Sequence, residues 1–190
     1  MIWKGIVFDL HGVLVFDFDV EEYHRKVFAF FPKRKFHSLK RQYGTGAMVF
    51  VKFGLKKEYI EILDSLPIHT RKEKRINLLL KKLRCYVPLF LVTDTSRKNC
   101  LLTLKAAGYS PALFTKIITL EDVALPKPAD EAYRKIGVSS GFIVFGDKAT
   151  DLTAAAKLGA KTFLIKTKKQ LLFNLQKILR ELEAGEKRLK

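Results

Sequence analysis

The sequence has few of the features that mark membrane, secreted or disulfide-linked proteins. It contains two cysteines, Cys85 and Cys100, and no uninterrupted run of about 18 apolar residues, the length that a membrane span needs. Two cysteines outside any metal-ligand pattern are typical of reduced intracellular thiols. An apolar strand begins almost at the first residue, which leaves no room for a signal peptide. We therefore expect a cytoplasmic protein that does not enter a membrane.

Acidic residues are also scarce. The 190 residues include 36 Lys and Arg against 19 Asp and Glu, a formal net charge of +17, and no acid lies between Glu22 and Glu58. A positive surplus attracts anions, which include phosphorylated metabolites and nucleic acid. A solvated, lysine-rich surface, common in thermophilic proteins, would have the same composition. The solvated surface is the favoured interpretation, and a nucleic-acid partner stays open as the less favoured one.

The most informative stretch is an apolar run, residues 6–8, that ends in Asp9. Its β-branched and aromatic residues are typical of a strand buried on both faces of a parallel sheet. Gly12 allows the chain to turn three residues later. Ligands of open α/β sheets bind beyond the carboxyl ends of the strands. Asp9 is therefore either a functional carboxylate or an ordinary turn residue.

Three later segments favour the functional interpretation. One apolar strand ends in a hydroxyl and an acid, a lysine lies between two prolines, and another apolar run is followed by two acids four residues apart. The residues concerned are Thr93, Asp94, Lys127, Asp147 and Asp151. Asp147 and Asp151 come at the end of a strand and in the first turn of a helix, so both can face the ends of the strands.

In this order the segments resemble the haloacid dehalogenase-like (HAD) superfamily, which consists mostly of phosphatases and phosphotransferases. The resemblance extends from Trp3 to about Ile165, apart from roughly residues 16–84. It implies a Rossmann-like α/β core with a parallel sheet and a small helical cap inserted after the first strand. We expect residues 1–15 and 85–190 to form the core and residues 16–84 the cap.

The chemistry that the resemblance implies is hydrolysis of a phosphate ester. Asp9 would attack phosphorus and form an aspartyl-phosphate, which water then hydrolyses. Thr93 would bind a phosphoryl oxygen with its hydroxyl, and the backbone N–H groups near Asp94 would add to that site. Lys127 would neutralise the phosphate as a point charge. The predicted substrate is a small phosphorylated metabolite.

A carboxylate that attacks a phosphate dianion needs a cation to offset the repulsion between like charges. Asp9 and Asp147 are hard oxygen ligands that suit Mg²⁺. The resemblance adds the backbone carbonyl of His11 and places Asp151 as a direct or supporting ligand. The alternative for Asp151 is that it only caps the following helix.

His11 stands where the family has a second Asp, and it has two interpretations. An imidazole with a pKa of about 6.5 can protonate the leaving oxygen and activate water, as that Asp does. Alternatively, the change marks a member that has lost acid–base chemistry. Relatives that lack this Asp include dehalogenases, but dehalogenation needs no metal, and the retained Asp147 and Asp151 argue against it. The direction of the His11 pKa stays open, because neighbouring acids would raise it and a metal would lower it.

Hydrophobic periodicity predicts four helices within the insertion and an amphipathic helix at the end of the chain. They cover residues 20–30, 34–43, 56–65, 70–84 and 168–184. We interpret the aromatic residues of the insertion as packing of a small cap, and the terminal helix as docked on the sheet rather than on a partner. The alternative to the phosphatase is a degenerate HAD-like protein that binds nucleic acid or a protein through its basic insertion.

Overall fold

The computed structural model describes residues 3–187, apart from the side chains of Asp151 and Lys187. Five strands form one parallel sheet: β1 (Gly5–Phe8), β2 (Leu89–Val92), β3 (Lys116–Ile118), β4 (Phe142–Gly146) and β5 (Lys161–Leu164). Their order is β3-β2-β1-β4-β5. The central strand β1 pairs with two neighbours, so that Phe8 lies opposite Leu91 and Phe145. The predicted parallel α/β core is confirmed.

The described residues form nine α-helices. They are α1 (Val20–Phe28), α2 (Lys33–Tyr43), α3 (Gly46–Lys52), α4 (Lys56–Asp64), α5 (Lys74–Leu83), α6 (Arg97–Ala107), α7 (Glu131–Arg134), α8 (Ala149–Lys157) and α9 (Lys168–Lys187). Asp19 caps α1 by accepting a hydrogen bond of 2.9 Å from the Glu22 N–H, as its position before two acids predicts. None of the helices within residues 3–187 is long and apolar enough to cross a bilayer.

Helix α3 was not predicted. Gly44 and Gly46 indicate a break, and the β-branched and aromatic residues that follow do not favour a helix. The helix forms because Thr45 caps it, accepting a hydrogen bond of 3.2 Å from the Met48 N–H. Helix α5 also begins later than predicted, at Lys74, because the Glu73 N–H donates to the Ala107 carbonyl at 2.9 Å and holds that residue outside the helix.

Two apolar clusters cover the two faces of the sheet. Side chains alternate along β1, so that Ile6 and Phe8 lie in one cluster and Val7 in the other. The first cluster includes α5, α6 and α9, and the second includes α7 and α8. Helix α9 therefore packs on the core, as expected. Because both faces are covered, the polar ends of the strands are where a ligand can reach the sheet.

Helices α1 to α4 form the cap, which has an apolar cluster of its own. Its aromatic rings pack against each other, with centroids 5.2 Å apart for Phe31 and Phe50 and 4.8 Å apart for Phe50 and Tyr59. The fully buried Leu120, which follows β3 in the core, completes this cluster. Helix α5 lies within the range assigned to the cap but packs in the core cluster. The domain bounds stay a prediction, and this packing favours a cap that ends before α5.

Candidate active site

A cavity of about 390 Å³ lies where the carboxyl ends of β1, β2 and β4 meet the cap. The residues directly after these strands are all polar and all face it. Six of the predicted site residues line the cavity: Asp9, His11, Thr93, Asp94, Lys127 and Asp147. The side chain of the seventh, Asp151, lies outside the described part of the chain. Positions scattered over 139 residues of sequence, from 9 to 147, are thus brought to one site by the parallel sheet.

A buried ion pair lies at the centre of this site. Lys127 Nζ is 2.9 Å from Asp9 Oδ2, and the side chains are 3% and 10% exposed. The other carboxylate oxygen, Oδ1, accepts a hydrogen bond of 2.8 Å from the Leu10 N–H. A charge with so little access to water is stable only when it is paired and hydrogen-bonded. The carboxylate of Asp9 is therefore held in one orientation with a cation beside it.

The backbone of Lys127 is fixed from two directions. Its N–H donates to Asp94 Oδ1 at 3.1 Å, and its carbonyl accepts a hydrogen bond of 2.8 Å from the hydroxyl of Thr45 in the cap. The peptide bond to Pro128 is cis. Burial raises the pKa of Asp94 to about 6, against the opposing effect of Lys127. The carboxylate of Asp94 thus positions the lysine, a contact that the sequence did not predict.

Thr93 is buried at the end of β2 and faces the same cavity. Its N–H donates to the Ile118 carbonyl at 3.0 Å, which continues the pairing of β2 with β3 by one residue. Its hydroxyl oxygen lies 3.4 Å from the Thr95 N–H, just before α6 begins. The hydroxyl therefore lies at the end of a fixed strand, close to the first turn of a helix, where anions bind readily.

Asp147 also lines the cavity and fits a metal ligand. Gly12 has φ +78°, and a Cβ there would lie 2.7 Å from the Asp147 Cβ, so the turn after β1 is closely packed against this side chain. Among the described residues, nothing hydrogen-bonds to its buried Oδ1. A buried carboxylate oxygen without a donor is costly unless a cation binds it.

The carboxylates of the cavity suit Mg²⁺ better than they suit a metal whose ligands are all protein side chains. Within the described part of the chain, no group of three or more His, Cys, Asp or Glu side chains is arranged around a metal position. Three of the described carboxylates line the cavity, and Asp94 already accepts a hydrogen bond from the Lys127 N–H, which leaves Asp9 and Asp147. Mg²⁺ usually keeps several waters and takes one or two carboxylates, so two carboxylates with backbone and water oxygens are sufficient.

The sequence matches the family model of the haloacid dehalogenase-like hydrolases over residues 6–165. This chain belongs to that family. No protein of curated function matches the sequence significantly. Solved structures of HAD-like proteins share the fold at low sequence identity.

Three solved structures illustrate the likeness. The magnesium-bound HAD hydrolase YfnB of Bacillus subtilis superposes with a TM-score of 0.62 at 16% identity, over 93% of this chain and 100% of the other. The phosphate complex of CbbY from Rhodobacter sphaeroides gives 0.58 at 19% identity, over 86% of each chain. L-2-haloacid dehalogenase from Xanthobacter autotrophicus gives 0.56 at 18% identity, over 85% of this chain and 76% of the other. The fold is thus shared by relatives of different chemistry.

His11 is where this HAD-like hydrolase departs from the family pattern, and its environment is unusual. Both ring nitrogens are buried without a hydrogen-bond partner among the described residues, and the ring centroid is 4.8 Å from that of Phe18. Burial lowers the pKa of His11 to about 4, outweighing the raising effects of Asp9 and Asp147. The imidazole is therefore neutral at pH 7, and it can take up a proton before it gives one away.

Several residues that line the cavity were not predicted from the sequence. The cap supplies Thr45 and two buried tyrosines, Tyr23 and Tyr59, whose hydroxyl oxygens are 3.1 Å apart. The core supplies Lys148, whose Nζ is 3.5 Å from Asp147 Oδ2. Lys148 could have been found from its place next to Asp147. The cap residues could not, because no local pattern shows which side of a small helix faces the core.

Proposed function

We propose that this HAD-like hydrolase is a Mg²⁺-dependent phosphatase that acts on a small phosphorylated substrate through an aspartyl-phosphate on Asp9. The observation that carries the proposal is the buried pair of Asp9 and Lys127 facing the cavity. A nucleophilic carboxylate and a cation for phosphoryl oxygens are both needed for this reaction. The pair supplies both within one contact of 2.9 Å.

Each of these residues has its own role in the reaction. A carboxylate oxygen of Asp9 forms a bond to phosphorus while the bond from phosphorus to the leaving oxygen breaks. The ammonium of Lys127 and the hydroxyl of Thr93 bind the phosphoryl oxygens, whose charge is spread in the transition state. Water then attacks the phosphorus of the aspartyl-phosphate, and inorganic phosphate leaves with Asp9 regenerated.

Asp9 and Asp147 would hold Mg²⁺, with the carbonyl of His11 as the ligand that the family resemblance implies. When bound, the metal neutralises phosphoryl oxygens and so reduces the repulsion between the phosphate and the attacking carboxylate. The unpartnered oxygen of Asp147 supports this assignment over dehalogenation, which needs no metal. The magnesium-bound YfnB supports it as well, as a relative of the same fold.

We propose that the neutral imidazole of His11 acts as a base toward water in the second step. In the first step, an imidazole that has taken a proton from solvent would give it to the leaving oxygen, so one ring would serve both steps. A His11→Asn variant should hydrolyse alkyl phosphates more slowly, because their leaving oxygen is strongly basic and needs a proton. Turnover of p-nitrophenyl phosphate should fall less. Equal turnover of both esters by the variant and the parent would leave His11 without a proton-transfer role.

The direct test is turnover of p-nitrophenyl phosphate and a panel of phosphorylated metabolites, with Mg²⁺ and with EDTA. We expect turnover with Mg²⁺, loss of it with EDTA and no turnover by Asp9→Asn. The matched control is Asp17→Asn, because Asp17 is exposed and does not line the cavity. An active Asp9→Asn enzyme would refute the mechanism. Metal-independent release of halide from 2-chloropropionate would identify a dehalogenase instead.

A second candidate function is binding of nucleic acid through the cap. The observation that favours it is a run of exposed basic residues at the start of α2, Lys33, Arg34 and Lys35. Such binding should weaken steeply as salt rises, with a slope set by the number of phosphates neutralised. Charge reversal at these three positions should weaken it further. Binding that is absent at low ionic strength would leave the run as a solvated surface.

A further inference from the structure

A second cavity, of about 520 Å³ and more open to solvent, lies beside the active site between the end of α2 and the start of α8. We call it the basic annex. The residues that matter for its chemistry are His37, Lys40, Arg41, Lys148, Thr150 and Lys166. Lys40 and Lys148 line the active-site cavity as well. The two cavities therefore share a wall made of cationic side chains.

The annex is uniformly basic. Of the residues that the structure describes, no Asp or Glu lines it. Two of its lysines are anchored beside the proposed metal ligand, because Lys166 Nζ donates to the Asp147 carbonyl at 2.6 Å and Lys148 Nζ lies 3.5 Å from Asp147 Oδ2. The Asp147 carboxylate offsets the charge of Lys148, and the mutual repulsion of the cationic side chains that line the cavity favours an anion among them.

Two further features of the annex suit an anion. The hydroxyl oxygen of Thr150 is buried without a hydrogen-bond partner among the described residues. It belongs to the first turn of the nine-residue helix α8, where N–H groups add positive potential. Gly44 closes the other side, where a Cβ would lie 3.1 Å from the Pro128 ring. The cap and the core therefore approach closely at the annex, and groups from both face the same space.

We propose that the basic annex binds a second phosphate group of the substrate, so that the preferred substrates are small bisphosphates. The inference rests on the proposed function, since the first phosphate is the one attacked by Asp9. Lys40 and Lys148, which line both cavities, lie between the two phosphate positions. A molecule that spans them would gain charge-assisted contacts that a monophosphate cannot make.

The test compares alkanediol bisphosphates of two to six carbons with the monophosphates of the same diols, because the leaving oxygen is the same in each pair. We expect kcat/KM to favour the bisphosphate at one or more chain lengths, and the preference to shrink as salt rises. Arg41→Gln should lower kcat/KM for that bisphosphate about fivefold, as loss of one solvent-exposed charge pair predicts, and leave the monophosphate unchanged. Arg34→Gln is the matched control, since Arg34 is an exposed arginine of α2 outside both cavities.

Failure of the annex and failure of the phosphatase are distinguishable. If the monophosphates are hydrolysed but no bisphosphate is preferred, or if Arg41→Gln affects both classes equally, the annex proposal is wrong. If nothing is hydrolysed, the thermal shifts that the same compounds produce decide the question. A bisphosphate that stabilises the protein more than its monophosphate does, with the difference lost in Arg41→Gln, supports the annex. Equal shifts for both compounds refute it. An oligonucleotide that competes at lower concentration than every bisphosphate would also refute it.

Discussion

Gly12→Ala tests whether the turn after β1 holds Asp147 in place. Gly12 has φ +78°, where an L-residue is strained, and a Cβ there would lie 2.7 Å from the Cβ of Asp147 and 2.8 Å from its Cγ and Oδ2. The Asp147 Cβ is attached to the backbone, so rotating the side chain cannot clear the overlap. Either the turn after Asp9 or the end of β4 must move.

The size of the effect follows from these two contributions. Alanine in the left-handed region costs about 1–2 kcal/mol. Carbon atoms pack at about 3.5–4.0 Å, so removing the overlap needs a shift of roughly 1 Å, and overpacking of this kind costs about 1–3 kcal/mol. The free energy of unfolding should therefore fall by about 2–5 kcal/mol in total. Misplacing a catalytic group by about 1 Å lowers the rate on the order of a hundredfold.

Gly137→Ala is the matched control, because Gly137 has φ +80° and nothing within 4 Å of its Cβ position. It should lose only the conformational contribution, about 1–2 kcal/mol, and keep its turnover. Urea unfolding of both variants and Mg²⁺-dependent hydrolysis of p-nitrophenyl phosphate measure the two effects. If Gly12→Ala matches Gly137→Ala in both, the close packing against Asp147 has no bearing on the site.

Three further changes test the surroundings of Lys127. Lys127→Met should lower the free energy of unfolding by about 3 kcal/mol, because Asp9 is left buried without its cation. Adding Asp9→Asn should restore part of that loss in urea unfolding. A Lys127→Met protein as stable as the parent would contradict the reasoning. The pKa of Asp94 is about 6 in the folded protein, whereas an unperturbed Asp, as in the unfolded chain, has a pKa of 3.8. The folded protein therefore holds more protons between these values, and this group makes the free energy of unfolding fall as pH rises from 3.8 to about 6. Asp94→Asn should gain stability relative to the parent across that interval and level off above it, and a difference that does not change with pH would show that Asp94 titrates normally. Thr45→Val loses the hydrogen bonds to the Lys127 carbonyl and from the Met48 N–H. Turnover should therefore fall in kinetic assays, and stability should fall by about 1 kcal/mol in thermal unfolding. Thr45→Ser keeps the hydroxyl and should keep both turnover and stability.

The residues whose position at the cavity could be predicted are those with a local signal in the sequence. Asp9, Thr93 and Asp147 each follow a short apolar run directly, and residues after parallel strands gather at one edge. The sheet could be predicted from a local signal as well, because strands buried on both faces are short, continuous apolar runs rich in Val, Ile and Leu.

The parts that were not predicted depend on contacts between distant residues. Thr45 binds the carbonyl of Lys127 across 82 residues, and no local pattern announces such a bond. The side chain of Thr45 also caps α3 at its N-terminus, so this segment forms a helix although its glycines indicate a break. The direction of the His11 pKa was open because acids, lysines and burial act in opposition, and only the buried position decides that the pKa falls.

Leu120 sets a limit on how freely substrate can enter. This side chain belongs to the core by sequence but is fully covered by the apolar cluster of the cap. A rotation that lifts the cap uncovers it, at about 1.5–3 kcal/mol for a leucine. At equilibrium the open form would then be about 0.6–7% of the molecules, and the rate of an association that proceeds through it would be reduced to the same fraction. Shortening Leu120 would lower the cost of that exposure, so substrate would be retained less well and would exchange faster.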